Sequence, residues 1–192
     1  MPESAKVSKR LAILLISLAA VLLPACDSGQ NDGRFDIDQV EANWSNGRMQ
    51  VRLVQTVQLS REARAALVHG VPLTLAVELV LRDGKMGTRI RKHESSWQVR
   101  YLPLSERYQL SRPDGSELQT FARLRHALAE LGNVRVEIET GALPQGEYEL
   151  LVRGFLDKQR VPPPMRLPVL FSPRWRHRSE WTAWTMNIEP GV

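Results

Sequence analysis

Twice between Met49 and Leu81 the apolar residues fall on every second position, a spacing that gives a single buried face only in an extended strand. Met49, Val51, Leu53, Val57 and Leu59 share one parity, with Gln50, Arg52, Thr56 and Gln58 opposite. Leu73, Leu75, Val77, Leu79 and Leu81 repeat the pattern against Thr74, Ala76, Glu78 and Arg82, which predicts a half-buried strand. Ser45-Asn46-Gly47 and Asp83-Gly84 are turn signals beside these runs, so residues 35–44 and 48–59 read as a hairpin.

Further along, Trp97, Val99 and Tyr101 alternate, Pro103 interrupts, and Tyr108 and Leu110 resume. Val134, Val136 and Ile138 mark another strand, as do Tyr148, Leu150 and Val152. Six or more strands at such spacing suggest a mainly β protein, an antiparallel sandwich or an open barrel. Two short helices are expected on it. Residues 60–69 form one, stopped by Gly70-Val71-Pro72. Residues 116–131 form the other, with Ser116 and Gln119 as a capping box and Leu118, Phe121, Leu124, Leu128 and Leu131 on one face. Gly132 stands where a left-handed C-terminal cap is wanted. Pro162-Pro163-Pro164 reads as a stiff, extended connector between sheet edges.

The first 26 residues have a different character. Lys6, Lys9 and Arg10 precede a thirteen-residue apolar run, Leu11 to Leu23, and Leu23-Pro24-Ala25-Cys26 then meets polar Asp27-Ser28-Gly29. Basic, apolar, small and polar in that order describe a removable export signal; the run is inside the roughly 7–15 residues of such cores and short of the ~20 that span a bilayer. The tetrapeptide resembles a lipobox, with a proline variant before the alanine. It implies cleavage before Cys26 and acylation of its thiol by palmitate-type chains, which anchor stably when more than one is present. The expected organisation is a signal peptide over 1–25, a lipidated tether over 26–33 and one β-sandwich domain over 34–192. Asp27 resembles the aspartate that holds lipoproteins of the enteric pattern at the periplasmic face of the inner membrane, which implies that location, with the outer membrane as the alternative.

Composition narrows the function classes. Without residues 1–25, 23 basic residues face 20 acidic ones, a net charge of +3, scattered in sequence with acidic neighbours. An exported protein with so mild a balance is a poor nucleic-acid binder. Cys26 is the only cysteine, so the mature chain can form no internal disulfide and must be held by its core. His69, His93, His126 and His177 lie far apart and show no metal-ligand spacing. Neither a Gly-x-Ser-x-Gly elbow nor a Ser-x-x-Lys pair nor a phosphate loop is present. The expectation is a protein without metal, cofactor or catalytic residues.

The densest unusual feature is the C-terminal run Pro173-Arg174-Trp175-Arg176-His177-Arg178-Ser179-Glu180-Trp181-Thr182-Ala183-Trp184. Tryptophan and arginine are enriched in binding hot spots, which makes Arg174, Trp175, Arg176, Trp181 and Trp184 a candidate partner surface. As strand formers they can equally close the core of a sandwich. On a strand, Trp184 shares a parity with Met186 and Ile188, while Trp181 shares the other with Ala183.

Gly70-Val71-Pro72-Leu73, then Tyr101-Leu102, Leu104 and Tyr108, resemble the opening of the family called domain of unknown function 4390. Phe121, Ala127-Leu128 and Leu131-Gly132 are similar to its helix. Tyr148, Leu151, Arg153, Leu156-Asp157 and the prolines resemble its next strand and crossing, and Trp175, Ser179, Trp181 and Trp184 its tryptophan-rich end. Val161, where leucine is usual, and the aromatic-poor Lys85 to His93 depart from it. The resemblance spans about residues 34–190. It implies an immunoglobulin-like sandwich, exported in proteobacteria, without an assigned activity and often encoded beside a membrane sensor kinase of the nitrogen-regulation type. Three function classes follow as expectations: a non-enzymatic docking module for a membrane or envelope protein, a periplasmic sensor or ligand-binding partner of such a kinase, and an envelope hydrolase.

Overall fold

In the computed structural model, which describes residues 33–189, the first expected hairpin forms as β1 (Arg34–Ser45) and β2 (Arg48–Gln58). Asn46 and Gly47 adopt φ of 50° and 77°, the left-handed pair that a two-residue hairpin turn requires. Residues 1–25, Cys26 and most of the tether lie outside the described residues. So does the export signal read from them.

Ser60 then caps α1 (Arg61–Val68), its hydroxyl accepting from the Ala63 N–H at 3.1 Å, and Gly70 at φ 87° ends it. The chain continues through β3 (Leu73–Asp83), β4 (Arg89–Leu102), β5 (Arg107–Ser111), β6 (Gln119–Phe121), α2 (Leu124–Glu130), β7 (Asn133–Glu139) and β8 (Gly146–Leu156). A 3₁₀ turn (Lys158–Arg160), α3 (Pro163–Phe171), a second 3₁₀ turn (Pro173–Trp175) and β9 (Thr182–Ile188) complete it.

Two antiparallel sheets result. One has the order β1-β2-β7 and the other β6-β5-β4-β3-β8-β9. They face each other across a core of Met49, Val51 and Leu53 from the small sheet and Leu75, Leu79, Val99, Leu150 and Val152 from the large one. Each such side chain contributes roughly 1.5–3 kcal/mol when fully buried. The protein is thus mainly β, a two-sheet antiparallel sandwich compatible with the immunoglobulin-like class.

Several expectations give way to tertiary context. The helix expected over 116–131 is only Leu124–Glu130. Upstream, the Ser116 hydroxyl donates to Asp114 at 2.7 Å instead of capping, Glu117 takes φ 52°, and Gln119 pairs with Leu110 as part of β6. A hairpin onto β5 thereby satisfies more backbone than a capping box would. Leu118, placed on the helical face by its spacing, is left exposed. Gly132 is not left-handed. A Cβ there would stand 2.9 Å from the Ala129 carbonyl oxygen, so close approach is what calls for glycine.

The triple proline does not stay extended either. Pro163 and Pro164 open α3, where the N–H groups they lack have no helical partner to lose. Three short α-helices, rather than one or two, accompany the sheets. β3 is also not half-buried. Thr74, Ala76, Glu78 and Val80 on its second face are as covered as the core face, because β3 is an inner strand flanked by long side chains from β4 and β8.

The cap at Ser60 gives a direct test. Ser60→Ala should cost about 1 kcal/mol, read as a fall in Tm of about 2–4 °C by thermal unfolding.

Candidate functional site

Residues 176–180 leave the second 3₁₀ turn as an extended ribbon lying along the end of β8. The Leu156 N–H donates to the His177 carbonyl at 2.9 Å, Ser179 N–H donates to the Gly154 carbonyl at 2.8 Å, and Gly154 N–H donates to the Ser179 hydroxyl at 2.9 Å. Phe155 and Arg178 form an isolated bridge within this ladder. Side chains then alternate with period two: Trp175, His177 and Ser179 point inward, while Arg174, Arg176, Arg178 and Glu180 are exposed.

This alternation divides the candidate partner surface. Trp175, 7 % exposed, joins the core and is not available as a contact residue. Arg174 reaches back to Glu62 of α1 at 3.4 Å. Trp181, just before the last strand, and Trp184, within it, remain 40 % and 39 % exposed. Trp184 pairs with Leu150 on the core-facing side, where β9 is the edge of the six-stranded sheet. Trp181 lies over the outer face, with the Arg153 guanidinium 4.3 Å from its ring centroid.

Arg153 carries a network that sequence reasoning missed. Its Nε donates to Glu78 Oε2 at 2.7 Å, its Nη2 donates to the same oxygen, and the Lys92 ammonium donates to Glu78 Oε1 at 2.6 Å. Phe155 flanks the guanidinium at 5.6 Å on the same strand. Glu78 is only 4 % exposed, an acid in the middle of β3 with apolar residues on both sides of it. Burial alone would raise its pKa, but the hydrogen bonds and charges of Lys92 and Arg153 outweigh that and hold it below the usual carboxylate value. Because the folded value is depressed, the stabilisation is complete above the unfolded value near 4.5 and is lost as pH falls through the folded one. Urea unfolding at a series of pH values should show stability dropping on the acid side, and Glu78→Gln should flatten that drop.

Two clefts are also relevant. One, of about 530 Å³, opens between β4 and β7 and is lined by His93, Ser95, Arg112, Asp114, Arg135 and Glu137. His93 Nε2 lies 3.1 Å from the Ser95 hydroxyl, the arrangement closest to a base and nucleophile. Burial foremost, and then the charge of Arg112, lowers the His93 pKa against the opposing pull of Glu94. His93 and Ser95 are two apart on one strand, so sharing a face is what their spacing dictates. Among the described residues, no carboxylate hydrogen-bonds that ring. The other cleft, about 710 Å³, lies between β2, α1 and α2, with Val57, Val68, Tyr108, Leu124 and Leu128 as apolar walls and Arg64 and Arg125 as its cations. Among the described residues, no group of three or more His, Cys, Asp or Glu side chains could hold a metal ion. The proposed lipid-attachment residue Cys26 lies outside the described residues.

No curated protein and no solved structure matches the chain. One family model does, that of a domain of unknown function (DUF4390), over residues 32–185. That match covers most of the chain, including the tryptophan-bearing ribbon and nearly all of β3 to β9, and the protein belongs to the DUF4390 family.

Proposed function

We propose that this protein is a membrane-anchored periplasmic lipoprotein, acylated at Cys26 and held at the inner membrane, that serves as a non-enzymatic docking module for an envelope protein. The observation that carries this reading is the pair of half-exposed indoles Trp181, just before β9, and Trp184, on β9 at a sheet edge with β8 on one side. A half-buried tryptophan at an edge offers a large rigid contact area at small entropic cost, and the edge backbone can hydrogen-bond an added strand. The occupant we assign is an extended periplasmic segment of a membrane protein with apolar side chains on both faces, one set for each indole. A sensor kinase of the kind implied by the family resemblance would present such a segment.

Photo-crosslinkers placed at Thr185 and Asn187 in the native membrane should capture one defined envelope protein. Trp181→Ala and Trp184→Ala should each reduce that adduct by at least about tenfold with the domain still folded. Capture that is unchanged by both substitutions, or unfolding by both, would remove the docking role. Trp175→Ala should instead destabilise the domain by about 3–5 kcal/mol, because it empties a core position. Anchoring is checked separately by mass spectrometry of the purified native chain, which should show an acylated N-terminal cysteine.

A second reading, a ligand-binding partner of a membrane kinase, is favoured by the apolar cleft beside α1 and α2, whose two arginines suit an amphiphilic acid. Titration with dodecanoate should then raise Tm, and Leu128→Trp, which fills the cleft, should abolish the rise. A flat titration would dismiss this reading.

A further inference from the structure

The positive charge of the chain is concentrated in one stretch of its sequence. Between Asp157 and Arg178 lie Lys158, Arg160, Arg166, Arg174, Arg176 and Arg178 against the single acid Asp157, a net of +5. The whole chain after the leader carries +3, so everything else after the leader sums to −2. This asymmetry is local to one end of the fold. The bridge between Phe155 and Arg178, and the hydrogen bond from Leu156 N–H to the His177 carbonyl, lay the ribbon antiparallel to the end of β8. That register sets Arg176 opposite Asp157, next in sequence to Lys158.

Some of these charges are matched. Arg160 meets Asp157 at 3.0 Å and Arg174 meets Glu62 at 3.4 Å. Among the described residues no ion pair is formed by Lys158, Arg176 or Arg178, and the two arginines are exposed. The Lys158 ammonium is held below its ordinary pKa by burial first, and then by the repulsion of Arg176 and Arg178. Lys158 therefore lies near two exposed arginines, and the acid beside it, Asp157, is engaged by Arg160. Phe171, at the end of α3 and five residues before Arg176, is 82 % exposed.

The start of the domain sits at the same place. Gly33 approaches His177 so closely that a Cβ on it would stand 1.7 Å from the imidazole Cδ2. Gly33 thus lies against the inner side of the ribbon whose outer side carries Arg176 and Arg178. The seven residues from Asp27 to Gly33 can span at most about 24 Å. An anchor at residue 26 thus keeps this face close to the membrane surface.

We infer that Lys158, Arg176 and Arg178, together with the exposed Phe171 of α3, form a membrane-facing surface that rests on anionic phospholipid headgroups and sets the orientation of the domain. The inference rests on the membrane-anchored reading proposed above. Cations near an anionic leaflet each contribute a factor of about five, and an exposed aromatic ring suits the interface. A domain held in this way presents β9 and its indoles at a fixed angle to the bilayer.

The test uses the full chain reconstituted in vesicles, with Gln159→Cys carrying a donor dye and an acceptor dye on the lipid headgroups. In vesicles of phosphatidylcholine and phosphatidylglycerol, energy transfer should be high, and it should fall in phosphatidylcholine alone. It should also fall at about 1 M salt, where the screening length shrinks to about 3 Å. The triple change Lys158→Glu, Arg176→Glu, Arg178→Glu should lower the ratio of docked to undocked molecules by about a hundredfold or more, while Arg100→Glu, elsewhere on the surface, should not. Arg176→Gln with Arg178→Gln is the gentler variant, and an unchanged Tm verifies its fold. Equal transfer on both lipids, or insensitivity to salt, overturns the inference. So does loss of transfer on adding inorganic phosphate at matched ionic strength, which would make the ligand a free phosphate. The mass of the same reconstituted chain reports acylation at Cys26, so failure of the anchoring reading is seen apart from failure of the surface.

Discussion

His177 is where the two ends of this domain are fastened to each other. Its Nε2 accepts the Ser60 backbone N–H at 2.8 Å at the start of α1, and its carbonyl accepts from Leu156 at the end of β8. Its ring meets Phe35 of β1 edge-on at 5.9 Å, and Gly33 approaches the imidazole too closely for any side chain. Because Nε2 accepts, the ring proton sits on the other nitrogen, so the contact uses the neutral imidazole. Both sheets, the first helix and the C-terminal ribbon meet at this 2 % exposed side chain, with no disulfide available to do the same work. The alternation that turns His177 inward also turns its arginine neighbours outward.

The network around Glu78 is the second constraint, and it connects the sandwich to its surface. A carboxylate at the centre of an inner strand is tolerable only when its lone pairs are taken up, and Arg153 and Lys92 take them from the two neighbouring strands. The Arg153 guanidinium in turn lies 5.6 Å from the Phe155 ring centroid and 4.3 Å from that of Trp181. The exposed indole is thus placed by a buried charge two strands away. That positioning distinguishes Trp181 from an aromatic residue left at the surface by chance.

The strands were legible because period two is a direct imprint of a two-faced sheet, and β1, β2, β3, β7 and β8 all carry it. The N-terminal helix was legible through Ser60 and Gly70, whose roles are local. The second helix was misjudged because Gln119 and Phe121 satisfy both a helical face and a strand, and pairing with Leu110 and Tyr108 decides between them. That partner lies outside any local window. Pro163 and Pro164 were misjudged because proline is as well suited to the first turn of a helix as to an extended connector.

At the candidate site, the alternation of Arg174 to Glu180 was present in the sequence, with Trp175, His177 and Ser179 on one parity. Reading it as a strand would have separated core from surface. Glu78 and Arg153 were single charges inside apolar runs, a sign of mutual pairing that only the register between β3 and β8 can establish.

The earliest strand and the latest one are spatial neighbours, since β1 lies against β9. Phe35 meets His177 across 142 positions of sequence. Contacts of such separation form late, after the chain between them has been gathered. A chain synthesised from its N-terminus is therefore unable to close this core until β9 has emerged, so the whole domain must be made before Phe35 finds its partner.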